Sequence, residues 1–139
     1  MRKEVTILLV DDDSVDAEAV ERAIRQKRVL NTVVTARNGL EAIEALREPG
    51  RVPRPRFILL DLNMPRMNGL EFLKYIRQDP ELKREVVFVL TTSSLDEDRV
   101  AAYDSNVAGY VLKDSVGNDF DELLSLINVY WRIVEFPAE

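Results

Sequence analysis

Five short apolar runs, each closing on a polar or charged residue, constrain the fold of this chain more than any other feature. They are Val5 to Val10, Leu30 to Thr35, Phe57-Ile58-Leu59-Leu60, Glu85 to Leu90 and Ala108 to Leu112. Runs this short, rich in β-branched residues and without polar alternation, are the mark of strands covered on both faces, as in a parallel sheet. Between them the apolar spacing turns helical. Asp11-Asp12-Asp13-Ser14 supplies capping residues, and Val15, Ala19, Ala23 and Ile24 recur up to about Lys27. Asn38 to Arg47 aligns Leu40, Ile43 and Leu46, and Gly69 to Gln78 aligns Leu70, Leu73 and Ile76 before Asp79-Pro80. A short polar helix is predicted over Asp96 to Ser105, and a last one over Asn118 to Val134. Strands alternating with helices through short connections predict an α/β fold, a five-stranded doubly wound parallel sheet. Right-handed crossovers put helices on both faces, and the order 2-1-3-4-5 sets a switch point between strands one and three.

One segment breaks the rhythm. Pro49 to Arg56 holds three of the six prolines, which remove backbone donors and fix φ. It reads as an exposed, extended loop whose three arginines are solvated.

The 139 residues suit one domain with a real core. No apolar run approaches the ~20 residues that span a bilayer. The basic, apolar start is broken by Asp11-Asp12-Asp13 too early for a secretory signal, so the chain reads as cytoplasmic with no membrane association. The net charge of −6 argues against a nucleic-acid partner. With no cysteine and no histidine, chemistry must run on carboxylates, hydroxyls and lysine.

Those groups stand at strand ends. Asp61 leaves the third strand into Leu62-Asn63-Met64-Pro65, at the edge where open α/β sheets bind their ligands. Asp11 and Asp12 end strand one, Thr91 ends strand four and Lys113 ends strand five, so the topology gathers them in one crevice. Clustered carboxylates raise at least one pKa unless a cation sits among them. Mg²⁺ suits such a site, with Asp12, Asp61 and the Asn63 carbonyl as ligands and Asp11 holding a metal-bound water. A carboxylate nucleophile at Asp61 then suits phosphoryl transfer, with Lys113 as a point charge and Thr91 as a hydroxyl donor to the phosphoryl oxygens. Asp13 reads as a helix cap.

In this arrangement the chain resembles a receiver domain of a two-component response regulator. The matching pieces are Asp11-Asp12, Asp61-Leu62-Asn63-Met64-Pro65, Thr91 and Lys113, in order and over nearly the whole chain. The resemblance implies the flavodoxin-like receiver fold over 1–139 and phosphorylation of Asp61 by a sensor histidine kinase. It also implies Mg²⁺-dependent self-hydrolysis, with no further enzymatic activity. It further implies a switch in which the Thr91 hydroxyl moves toward the phosphoryl group and Tyr110 swings inward, although plain packing is the alternative at Tyr110. The sequence departs from the family at Asp114, where most receivers have a proline after the lysine, usually with a cis bond. A cis bond without proline costs about 3 kcal/mol, so a trans or rearranged turn is expected here.

The last helix carries two apolar stripes. Phe120, Leu123, Leu124, Ile127, Tyr130, Trp131 and Val134 form one; Leu126, Val129 and Ile133 form a second. One stripe suffices to pack on a sheet, so the second predicts exposed apolar area. A homodimer through the strand-five and helix-five face, using Leu126, Val129, Tyr130 and Ile133, is the expected use; a folded-back tail at 134–137 is the alternative. The ending Tyr130-Trp131-Arg132-Ile133-Val134-Glu135-Phe136-Pro137, with Lys113 not followed by proline, resembles the stand-alone regulators associated with bacterial phytochrome photoreceptor kinases. That implies a light-sensing kinase as partner and no separate output domain. Two other readings are weighed against the switch. A Mg²⁺-dependent small-molecule phosphatase commonly has a second acid where Asn63 stands, and needs a cap that no insertion here supplies. A phosphorylation-independent scaffold has no use for the intact acidic set.

Overall fold

A computed structural model of the chain describes residues 5–26, 32–113, 125–130 and 135–136. Its elements run β1 (Thr6–Val10), α1 (Ser14–Gln26), β2 (Val33–Ala36), α2 (Gly39–Arg47), β3 (Arg56–Leu60), α3 (Gly69–Gln78), β4 (Val86–Thr91), α4 (Asp96–Asp104) and β5 (Gly109–Leu112). Residues 125–130 are helical and are called α5. The five strands form one sheet in the order β2-β1-β3-β4-β5, every pair parallel. This is the doubly wound topology predicted. Lys27 and Leu30, expected in the first helix and second strand, lie outside the described residues. The second strand begins at Val33, later than predicted, and extends to Ala36.

Successive strand side chains point to opposite faces, and each face has its own core. Leu8, Val10, Ile58, Leu60, Val87 and Val89 pack with Ala42, Ile43 and Leu46 of α2 and Phe72, Leu73 and Ile76 of α3. Ile7, Leu9, Phe57, Leu59, Phe88 and Leu90 pack with Val20, Ala23 and Ile24 of α1 and Ile127 of α5. Both faces are covered, which explains the unbroken apolar runs in the three central strands.

Two expectations for the 49–56 loop are corrected. Val52 is 2% exposed and belongs to the first core, and Arg56 is buried as the first residue of β3. The reason is Glu85, whose carboxylate accepts two hydrogen bonds from Arg56, at 3.0 and 2.7 Å, and one from Arg54, at 3.0 Å. Arg56 also donates to the Val52 carbonyl at 2.9 Å. A planar guanidinium matched to a carboxylate is the ion pair that tolerates burial. Arg77 closes the same end of the molecule by donating to the carbonyls of Ser105, Lys83, Glu85 and Asn106, at 2.6 to 3.0 Å.

At the other end, the helix starts fix the 61–68 loop. Asn38 caps α2 and Asn68 caps α3 in a capping box with Glu71. The Gly39 amide donates to the Met67 carbonyl, and the Gly69 amide to the Leu62 carbonyl. A Cβ at Gly69 would lie 2.5 Å from the Asp61 carbonyl oxygen and 2.7 Å from the Leu62 Cα. Glycine is thus the residue that lets α3 begin against the chain leaving β3. Among the described residues no helix is long and apolar enough to cross a membrane.

Candidate functional site

The C-terminal ends of β1, β3, β4 and β5 bring Asp11, Asp61, Thr91 and Lys113 into contact. Thr91, the last residue of β4 and fully buried, donates its hydroxyl to Asp61 Oδ1 at 2.8 Å. The Asn63 amide donates to the same oxygen at 3.2 Å. Asp61 is therefore held on one side, while Oδ2 faces the Lys113 Nζ at 3.4 Å.

Lys113 donates more closely to two other carboxylates, Asp11 Oδ2 and Asp16 Oδ2, each at 2.8 Å. An ammonium has three donors; two meet Asp11 and Asp16 at full hydrogen-bond distance and the third faces Asp61 more loosely. Burial works against the ammonium charge, but the hydrogen bonds it donates to Asp11 and Asp16 outweigh burial and raise the Lys113 pKa. Asp11 is pushed up to about 6, above all by burial, with the hydrogen bond from Lys113 pulling the other way. The raised carboxylate pKa expected from clustering is present, but desolvation is its larger cause and the Asp61 charge a smaller one. Lys113 therefore keeps its proton more firmly than a free lysine, and Asp11 gives its proton up at higher pH than an ordinary carboxylate.

Asp11, Asp12 and Asp61 each present a carboxylate oxygen, and these atoms lie within 4.8 Å of one another. Asp12 is the exposed member of the three. A hard oxygen donor set of this kind, beside a tight turn and open to solvent on one side, fits a divalent cation such as Mg²⁺. Asp13 accepts hydrogen bonds from the amides of Val15 and Asp16 and caps α1, as expected.

Tyr110, half-buried in β5, donates its hydroxyl to the Ser93 carbonyl at 2.8 Å, and the Arg99 guanidinium lies 5.7 Å from its ring centre. Ser93 in turn donates from its hydroxyl to Asp98 in the first turn of α4. Tyr110 is thus tied to the loop that follows Thr91.

Of the expected interface residues, Leu126 and Val129 are exposed, at 53% and 57%. Tyr130 is half-buried, edge-on to Phe88 at 5.0 Å and to Phe136 at 6.5 Å, so its ring belongs to an intramolecular stack. Ile133, Trp131 and the other stripe members outside 125–130 lie outside the described residues, as does Asp114.

A response regulator receiver domain family matches residues 7–128 of the chain. The chain belongs to the response regulator receiver family. This receiver is 37% identical over 136 residues to response regulator Rcp1 of a Synechocystis species, covering 95% of this chain and 92% of the relative. The Mn²⁺-bound form of Rcp1 superposes with a TM-score of 0.82 at 36% identity, over 96% of this chain and 99% of the other. The phosphorylated cyanobacterial phytochrome response regulator RcpA superposes with a TM-score of 0.83 at 34% identity, over 98% of this chain and all of the other.

Two participants were not singled out from the receiver's sequence. Asp16 pairs with Lys113 across 97 residues, and its one available signal was its place four residues after Asp12, in the first turn of the first helix. Ser93 contributes a backbone carbonyl to Tyr110, and backbone acceptors leave no trace in side-chain identity.

Proposed function

We propose that this receiver is a phosphoacceptor switch in which Asp61 takes a phosphoryl group from a histidine of a sensor kinase. The observation that carries the reading is the meeting of Asp61 with the Thr91 hydroxyl, the Lys113 ammonium and the Asp11 and Asp12 carboxylates at one sheet edge. A bond forms between an Asp61 carboxylate oxygen and phosphorus as the donor's phosphorus–nitrogen bond breaks, and the imidazole leaves with the electron pair. Two anions meet in that step, so it depends on countercharge and on placement.

Lys113 supplies a fixed positive charge toward the transferred group, and Thr91 is within reach to donate to one of its oxygens. Asp12, Asp61 and the Asn63 carbonyl would hold Mg²⁺, with Asp11 holding one of its waters. When bound, the ion would draw charge from the phosphoryl oxygens. Hydrolysis reverses the switch, with water attacking phosphorus and the Asp61 carboxylate leaving.

The readout runs through Thr91, Ser93 and Tyr110. A shift of the Thr91 hydroxyl from Asp61 to a phosphoryl oxygen alters the loop whose Ser93 carbonyl holds Tyr110, and so the face formed by α4, β5 and α5. Leu126 and Val129 leave apolar area exposed on α5, which supports a homodimer. Similarity to Rcp1 and to a cyanobacterial phytochrome response regulator supports a phytochrome-type kinase in the cytoplasm as the donor.

The test is incubation with Mg²⁺ and acetyl phosphate, followed by intact mass. One phosphoryl group is expected on the native chain, lost in Asp61→Asn and on chelating Mg²⁺. No adduct, with no turnover of the donor to explain it, would sink the proposal.

A further inference from the structure

Among the described residues, Asp16 is the one carboxylate in contact with Lys113 that the proposed chemistry does not use. It lies in the first turn of α1, where the Asp13 cap fixes its backbone: its amide donates to Asp13 Oδ1 at 3.2 Å. Its side chain is 32% exposed, against 3% for Asp11 and 7% for Asp61, so it stands at the rim of the site, on the solvent side of the ammonium. Asp16 Oδ2 is 2.8 Å from Nζ, a full hydrogen bond, while Asp61 Oδ2 at 3.4 Å is beyond the normal range for nitrogen to oxygen. Lys113 is thus engaged by Asp11 and Asp16 in preference to the acceptor.

We propose that Asp16 is a positioning residue that competes with the phosphoryl group for Lys113 and so sets how long that group stays on Asp61. The inference rests on the acceptor role of Asp61. A phosphoryl group built outward from Asp61 draws on the Lys113 donor that Asp16 now holds, and it brings its own negative charge near the Asp16 carboxylate. Both effects act in the same direction. With a Lys113 donor held by Asp16, the phosphorylated state loses part of the stabilisation that Lys113 can give, and the site clears faster.

The experiment uses the full chain with Mg²⁺ and beryllofluoride, a phosphoryl mimic, read by fluorine NMR, and with acetyl phosphate, read by decay of the phosphorylated mass. Asp16→Asn keeps the size and the helix start and removes the charge. Its mimic affinity is expected to rise, and its phosphoryl loss to slow, by about two- to fivefold, the factor a partly exposed charge pair supplies. Asp16→Glu is expected to stay within the native range. In the Lys113→Gln background the Asp16→Asn effect is expected to shrink to the part that direct charge repulsion supplies, a coupling that a merely structural role in α1 would not produce. If the native chain binds the mimic but Asp16→Asn is unchanged, or weakened, the competition is overturned while the acceptor role stands. If the native chain takes neither mimic nor phosphoryl group, both fall.

Discussion

Asp11 is the residue whose ionisation has the most direct consequence for the site. Burial lifts its pKa to about 6, so its carboxylate is neutral below that pH and charged above it. The acidic set loses one negative charge as pH falls through 6, and Mg²⁺ affinity is expected to fall with it, by at most about tenfold per pH unit for one proton. Calorimetric titration of Mg²⁺ between pH 5 and 8 checks this, and Asp11→Asn should flatten the profile while lowering affinity at neutral pH. Lys113 predicts the opposite kind of change. Lys113→Gln removes the cation among Asp11, Asp16 and Asp61 and leaves the carboxylates to repel one another. Phosphoryl acceptance should fall by at least about tenfold, the loss of one charge-assisted contact in a buried site. A Lys113→Gln chain that accepted the group at the native rate would remove lysine from the mechanism. At this scale the sequence was informative where a strand ended on a titratable side chain, as at Asp61 and Lys113. It was silent where the partner came from elsewhere in space. The 49–56 loop was read as solvated because proline and arginine dominate it, and only the fold reveals that Glu85 waits behind Arg56.

Among the elements, the start of α3 governs the acceptor most closely. A methyl group at position 69 would press on the backbone of Asp61 and Leu62, neither of which is a flexible side-chain end that could give way. Gly69→Ala is expected to cost about 1–3 kcal/mol in thermal or denaturant unfolding. It should slow phosphorylation beyond what lost stability explains, because the displaced atoms carry the acceptor. Arg77 of α3 offers the matching test at the far end of the sheet. Its guanidinium satisfies four carbonyls in two loops, and Arg77→Leu strips those acceptors of their donor. A loss of about 1–3 kcal/mol is expected, with phosphoryl chemistry on the folded fraction unchanged. The elements themselves were legible from apolar periodicity, since both faces of β1, β3 and β4 are covered. Their exact ends were less so. The predicted Leu30 to Thr35 strand begins at Val33 because pairing with β1 starts at Ile7 opposite Val33. Register, which depends on the neighbouring strand, decides such limits.

For the whole molecule, the sheet separates a reactive pole from a clamped one. Acids, hydroxyl and ammonium gather where the strands end, while Arg56, Arg77 and Glu85 tie loops where β3 and β4 begin. The exposed Leu126 and Val129 on α5 lead to a prediction about association. Sedimentation of the native chain should show a concentration-dependent dimer, and Leu126→Asp with Val129→Lys should give a monomer of unchanged thermal stability. A native chain that remains monomeric at high concentration, with and without phosphorylation, would remove the dimer from the proposal. The sequence foretold this apolar stripe, but the burial of Tyr130 against Phe88 and Phe136 needed the fold, because a helical wheel does not show which aromatic the sheet will claim.

The salt bridge from Lys113 to Asp16 joins the last strand of the sheet to the first helix of the chain. Among the described residues strand β5 pairs with β4 alone, at the sheet's edge. A chain in which that edge has not yet docked would still carry Asp61, Asp11 and Asp12, but it would have no ammonium among them. On the proposed mechanism, full capacity to accept a phosphoryl group would therefore arrive only with β5, and a copy frayed at that edge would accept the group more slowly than a fully docked one.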